Sequence, residues 1–171
     1  MASLPGFAEI VHQYQNLVYS VAYHSLGNRA MAEELTQDVF LSLHQNLHQL
    51  ESLEHVKHWL RRTAAHRCID EVRRQKFRKG PGLYEVPEPA SRDRWQDPLL
   101  SRQLEECLAS LPATARVVTI LRYQEEMEPA EIAESLQLPV ATVKSRLHRA
   151  LGMLRVKMQR KESACQISRP S

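Results

Sequence analysis

Thr142, Lys144, Ser145, Arg146 and Arg149 sit close together near the end of the chain. Their hydroxyl, ammonium and guanidinium groups are the types that hydrogen-bond base edges and pair with phosphates. At about 100° per residue, Thr142, Ser145, Arg146 and Arg149 fall on one side of a helix, with Lys144 and His148 on its flank. Val143, Leu147, Ala150, Leu151 and Leu154 fall on the opposite stripe. One side must be buried, and the other is free to touch a partner. Between Val140 and Lys161 there is no Asp or Glu, whereas Lys144, Arg146, Arg149, Arg155, Lys157, Arg160 and Lys161 all lie there. A solvated amphipathic helix with a basic face has the same composition. The preceding segment separates the two readings. Pro129 occupies a first-turn position, Ile132, Ala133 and Leu136 follow at helical spacing, and Gln137-Leu138-Pro139 breaks the pattern. Two helices joined by a turn of about three or four residues form a helix-turn-helix, whose second member enters a DNA major groove.

A second chemical surface lies upstream. Trp59, Arg62, His66, Asp70 and Arg73 share a stripe facing away from Val56, Leu60, Ala64, Cys68 and Val72. An aromatic ring, two guanidinium groups and an imidazole on one line can stack on bases and pair with phosphates, which is what single-strand binding needs. Arg61, Arg67, Arg74, Lys76, Arg78 and Lys79 add positive charge, against Asp70 and Glu71. Taken alone, Trp59 reads better as partly buried core; it is the whole stripe that points to nucleic acid. The segment before it has the opposite sign: from Arg29 to Lys57 there is no further Lys or Arg, while Glu33, Glu34, Asp38, Glu51 and Glu54 are present. That face would repel DNA and suits a basic protein partner, although acids near a helix N-terminus also complement its dipole.

Helices must carry these groups. Phe7, Ile10, Val11, Tyr14, Val18 and Val21 recur at steps of three and four, so a first helix is expected to end near Gly27-Asn28. Leu35, Val39, Leu43 and Leu47 predict a second, and a third should run from about Glu54 to Arg78. Lys79-Gly80-Pro81-Gly82, followed by Pro87, Pro89 and Pro98, marks a flexible linker across which few contacts are expected. Leu104, Leu108 and Leu111 open a second helical unit, which Val117, Val118 and Leu121 continue after Pro112. With five glycines and few alternating β-branched runs, the fold is expected to be all-α: two small helical domains. The boundaries expected are 4–78, a linker at 79–100, 101–161, and a disordered tail at 162–171.

Composition excludes several classes. No apolar run is long enough to cross a bilayer, so membrane insertion is not expected and the chain should be cytoplasmic. Cys68, Cys107 and Cys165 are odd in number and far apart, which fits neither a disulfide framework nor a cysteine zinc site. His44, His48, His55 and His58 are closely spaced but lack a companion carboxylate motif, so no metal is expected. No nucleophile motif or phosphate-cradling glycine loop is present, so neither a cofactor nor catalysis is expected. The net charge of +3 is mild, which makes the local clustering of cations the informative feature.

The strings AEELTQDVFLSLHQNL, HWLRRTAAHRCIDEVRRQK and LPATARVVTILRYQEEMEPAEIAESLQLPVATVKSRLHRAL resemble bacterial sigma factors of the extracytoplasmic-function (ECF) class, over about Phe7 to Arg78 and Leu104 to Met158. The resemblance implies a non-enzymatic protein that binds core RNA polymerase and promoter DNA, with an anti-sigma factor as a further partner. It implies that Glu34, Leu35, Gln37, Asp38, Val39 and Phe40 dock on the polymerase. Trp59, Arg61, Arg62, His66, Asp70, Arg73 and Arg74 would melt and read the minus-ten element, and the residues between Leu47 and His55 would help to hold a flipped base. Thr142, Lys144, Ser145, Arg146 and Arg149 would read the minus-35 element, and Arg116 would touch DNA backbone. His66 stands where the family commonly has Asn, and Ala141 where Gly is usual. The alternative is a helix-turn-helix transcriptional regulator of the response-regulator output type, which VATVKSRL would also suit; that class would carry alternating strands and helices in its N-terminal half.

Overall fold

The computed structural model describes residues 4–79 and 98–167. Seven helices run through them in order: α1 (Phe7–Leu26), α2 (Arg29–Asn46), α3 (Leu53–Lys79), α4 (Pro98–Ala109), α5 (Ala113–Tyr123), α6 (Pro129–Leu136) and α7 (Val140–Ile167). A short 3-10 turn, Leu47–Gln49, joins α2 to the approach of α3.

The helix ends follow local chemistry. The Glu9 carboxylate accepts from the Gly6 amide at 3.0 Å, fastening the start of α1. Gly27 ends that helix at φ 65°, a left-handed conformation that glycine adopts at no steric cost, and its amide donates to the Tyr23 carbonyl at 2.8 Å. Asn28 Oδ1 then accepts from the Met31 amide at 3.0 Å, so α2 starts at once. Ser52 Oγ accepts from the His55 amide at 3.2 Å and caps α3. Pro129 occupies the first turn of α6, where its missing N–H costs nothing, and Glu131 closes back on the Glu128 amide at 2.7 Å.

Ile10, Val18, Val21, Val39, Leu43, Val56, Leu60 and Val72 are fully or almost fully buried and form the core of the three N-terminal helices. Leu111, Val117, Leu121, Met127, Ile132 and Val143 do the same for the C-terminal set. The two cores are continuous. Helix α5 packs on α1 and α3 as well as on α6 and α7, α6 also packs on α3, and α4 on α1. The sparse contact expected between halves is therefore corrected. Its cause is legible in α5, where Val117, Val118, Thr119, Ile120 and Leu121 are all buried, so the helix has no solvent face along that stretch. A proline-rich joint describes the tether, not the surfaces at its ends.

Two boundary expectations also change. Helix α7 continues to Ile167, so residues 162–167 are helical rather than a disordered tail; residues 168–171 lie outside the described residues. No proline or glycine occurs from Met153 to Ile167, and Lys161 holds the Glu106 carboxylate on α4, tying the distal part of α7 down. Helix α4 begins at Pro98, inside the span expected as linker; residues 80–97 lie outside the described residues.

Candidate nucleic-acid interface

Helices α6 and α7 form the anticipated helix-turn-helix. Gln137 makes the turn at φ 53°, and its amide and that of Leu138 are taken up by the carbonyls of Glu134 and Ala133. The Pro139 carbonyl then accepts from the amides of Thr142 and Val143 at 2.9 and 3.1 Å, which starts α7. Val143, Leu147 and Ala150 are buried against the rest of the unit. On the other side Lys144, His148 and Arg149 are exposed, and Thr142, Ser145 and Arg146 are half-buried. Ser145 Oγ donates to the Thr142 carbonyl at 3.1 Å, leaving the oxygen able to accept. Ala141 is exposed and helical in the first turn of α7, so its methyl group adds no strain where a glycine was the usual residue.

The second surface is partly covered by the chain itself. Arg61, with 16% of its side chain exposed, reaches across to Glu125 in the α5–α6 turn. Its Nη2 donates to the Glu125 carbonyl at 3.0 Å and to the carboxylate at 3.4 Å. His66 Nε2 lies 3.0 Å from the Ser135 carbonyl oxygen on α6; a carbonyl only accepts, so this nitrogen carries the proton. Arg73 Nη2 reaches Thr114 Oγ1 on α5 at 3.4 Å. Trp59 is half-buried and packs on the core, as its alternative reading had it, and Arg62 is half-buried too. Asp70, Arg73 and Arg74 remain exposed, with Arg74 3.6 Å from Glu71. The face is thus divided: α5 and α6 lie over its N-terminal half, and its C-terminal half is exposed, with Arg73 alone reaching α5 through Thr114.

Residues 10–78 match the Sigma-70 region 2 family, and residues 101–154 match Sigma-70, region 4. The chain is 30% identical to the ECF RNA polymerase sigma factor SigW of Bacillus subtilis, over 90% of this chain and 89% of that protein. It is 31% identical to the ECF RNA polymerase sigma factor SigE of Mycolicibacterium smegmatis, over 90% of this chain and 62% of that protein. This chain is an ECF sigma factor of the sigma-70 family. The family is not enzymatic, and its members direct promoter-specific transcription initiation by RNA polymerase. In overall fold it is similar to the sigma factor RpoE of Bartonella quintana, solved in complex with the anti-sigma factor NepR, with a TM-score of 0.73 and 19% identity over 90% of this chain and 96% of that one. The response-regulator alternative falls, because residues 10–78 match region 2 and, among the described residues of the N-terminal half, there are helices and no alternating strands.

Within this sigma factor the resemblance-derived residues divide by burial. On α2, Glu34, Gln37 and Asp38 are exposed, whereas Leu35, Val39 and Phe40 are core and can only position the helix for a partner. Asp38 is not bare: Arg67 lies 3.5 Å from its carboxylate and donates to Ser42 Oγ at 2.7 Å. Arg116 corrects an expectation outright. It is 5% exposed, and its guanidinium donates to the carbonyls of Ser25 at 2.7 Å and Leu111 at 3.2 Å, and to that of Ala109. A guanidinium spent on three carbonyls in this arrangement is a structural tie between α1 and α5, not a contact for DNA backbone. The sequence did not point to Leu41, 63% exposed on the acidic helix, nor to Phe77, 91% exposed near the end of α3. An apolar residue that breaks its helix's periodicity was the available signal for both.

Other candidates resolve simply. His44 packs edge-on against Phe7 with ring centroids 4.9 Å apart. No group of three or more His, Cys, Asp or Glu among the described residues is placed to hold a metal ion. No helix among them is long and apolar enough to cross a membrane. Burial pushes the Cys68 thiol up to about 12, so it remains a protonated, inert core group near neutral pH.

Proposed function

We propose that this ECF sigma factor works in the cytoplasm, binding core RNA polymerase through the exposed acids of α2 and reading a promoter with two separate helices. Thr142, Lys144, Ser145, Arg146 and Arg149 on α7 read the minus-35 element in the major groove. Trp59, Arg61, Arg62, His66, Asp70, Arg73 and Arg74 on α3 melt and read the minus-ten element, and the residues between Leu47 and His55 help to hold a flipped base. The functional units are α1 to α3 and α4 to α7, with the segment between Lys79 and Pro98 as the tether. An anti-sigma factor is the further partner, in keeping with the NepR complex of the structurally similar RpoE.

The observation carrying this reading is the acid-free start of α7, with Lys144 and Arg149 exposed over a buried Val143, Leu147 and Ala150. Region 4 lies over Arg61 and His66, so α5 and α6 must part from α3 before that surface can receive DNA. Each half alone offers a small contact area, and polymerase supplies the geometry and effective concentration that let both act together. Run-off transcription with core polymerase and this protein on a genomic library tests the reading. Discrete start sites sharing a two-part upstream sequence are expected; indiscriminate or absent initiation would overturn it.

A further inference from the structure

A cavity of about 500 Å³ opens where the end of α1, α4, α5 and the middle of α7 come together. Leu104 and Leu108 of α4, Ile120 of α5, and Leu151 and Leu154 of α7 supply most of its wall. Thr119 and Ile120 are buried beneath it, whereas Tyr123 and Leu151 stand at the solvent edge. Among the described residues, none of the lining groups is a Lys, Arg, Asp or Glu; the polar ones are His24, Thr119 and Gln124. Thr119 Oγ1 donates to the Ala115 carbonyl at 2.8 Å, which leaves that oxygen able to accept.

These features set the chemistry of an occupant. The volume lies within the range of small-molecule sites, about 300–1,000 Å³. A stable protein partner engages roughly 20–30 residues a side, whereas nine line this cavity. A charged ligand would exchange its hydration for leucine and isoleucine with no counter-charge, so the ligand that fits is uncharged and mainly apolar. One N–H or O–H on it can donate to Thr119 Oγ1. Eight of the lining residues belong to region 4 and one, His24, to α1 of region 2. The wall is therefore complete only while the two halves are packed together. A molecule bound there interacts more strongly with the closed arrangement than with the parted one, and shifts the population toward it.

We propose that this cavity binds an uncharged, mainly apolar small molecule carrying a hydrogen-bond donor, and that its occupancy holds region 4 over Arg61 and His66, keeping the sigma factor off promoter DNA. This rests on the reading that α3 must be uncovered to receive DNA.

The test uses the full chain and N-phenyl-1-naphthylamine, an uncharged aromatic amine with a single N–H whose fluorescence rises in apolar surroundings. Saturable one-to-one binding is expected. Leu104→Trp and, at the exposed rim, Leu151→Trp fill the cavity and should weaken binding at least about tenfold without lowering the unfolding midpoint. Arg61→Ala loosens the seam without lining the cavity, and it should weaken binding too. Dodecanoate, apolar but charged, should compete poorly. Saturating probe should lower the affinity for single-stranded minus-ten DNA about 5- to 150-fold, and Leu151→Trp should abolish that effect. Unsaturable uptake, or binding indifferent to both tryptophan variants, would overturn the site. Tight dodecanoate binding would overturn the ligand class, and an unchanged affinity in Arg61→Ala would overturn the dependence on closure. Loss of affinity for core polymerase in both tryptophan variants would make the cavity a protein-docking surface and overturn the proposal equally. Probe binding that meets every fluorescence expectation yet leaves DNA affinity unmoved would sink the masking reading and the off-switch with it, a result distinct from the absence of a site.

Discussion

Arg61 and Glu125, on opposite halves of the chain, meet with side chains only 16% and 9% exposed, and the Arg61 Nη2 also donates to the Glu125 backbone carbonyl at 3.0 Å. Glu125 thus covers an arginine that the proposed function places on the DNA face. Glu125→Ala removes the carboxylate and leaves Arg61 to find water, which is easiest when the halves separate. The closed arrangement should lose about 1–3 kcal/mol. Free Glu125→Ala protein is expected to have a larger radius in small-angle scattering and to bind minus-ten single-stranded DNA more tightly than wild type. Unchanged size and affinity would show that the seam is held by its apolar contacts alone.

Arg146 distinguishes reading from anchoring. If its guanidinium makes a bidentate base contact, Arg146→Ala weakens binding to the cognate minus-35 element by about 1–3 kcal/mol and leaves scrambled sequences nearly untouched. Lys144→Ala serves as the comparison, with a more uniform loss and a shallower salt dependence, as expected for a phosphate partner. Competition binding across a set of single-base variants measures both. Equal losses on every sequence would place Arg146 among the anchors.

Arg116 is a stability residue. Its removal leaves the carbonyls of Ser25, Ala109 and Leu111 without that donor. Arg116→Ala should cost at least about 1–3 kcal/mol in denaturant unfolding. Arg116→Lys should recover little, since one ammonium cannot reproduce the planar fork. A normal unfolding midpoint with a reduced salt slope for DNA binding would return Arg116 to the DNA face.

Glu105 and Glu106 give adjacent carboxylates opposite pH behaviour. Glu105 is 9% exposed with no hydrogen-bond partner for either oxygen, and burial holds its carboxyl above the usual carboxylate range. A raised folded value means that its share of stability is present in acid and lost as pH climbs from the ordinary carboxylate value through the raised one. Glu106 is lowered, chiefly by its hydrogen bond from Lys161, so its share is present near neutrality and lost on acidification. Glu105→Gln should therefore stabilise the protein relative to wild type at pH 8, with the gain shrinking toward pH 4. Glu106→Gln should destabilise it at pH 8 and converge in acid. Urea titrations across that range read both differences, and parallel curves would refute the assignment.

The apolar periodicities placed α1, α2, α3 and the helix-turn-helix in the chain because each of those helices buries one stripe and exposes another. The cationic front of α7 was equally legible, since exposure there follows from helical geometry alone. What the sequence could not convey was which polar groups the chain would spend on itself. Arg116 and Lys144 are both cations on amphipathic helices, yet three carbonyls at the junction of α1, α4 and α5 claim the first, and among the described residues none claims the second. That difference depends on where α5 comes to rest, a long-range fact with no local signature. Arg61 and His66 were assigned a DNA surface from spacing and resemblance, but spacing carries no information about Glu125 and Ser135 settling over them. The continuation of α7 to Ile167 was missed for a related reason: its distal part is fixed by Lys161 on Glu106, more than fifty positions away in the chain.

Helix α5 belongs to both halves, since the same run of buried residues lines the seat of α7 on one side and the flank of α1 and α3 on the other. Grafting the C-terminal segment of a relative onto this N-terminal half would bring an α5 fitted to its own α7 but a stranger to its new neighbour. Such hybrids should keep the borrowed upstream preference yet lose self-shielding, so promiscuous firing, rather than misfolding, is the fault a domain-shuffling engineer would meet first.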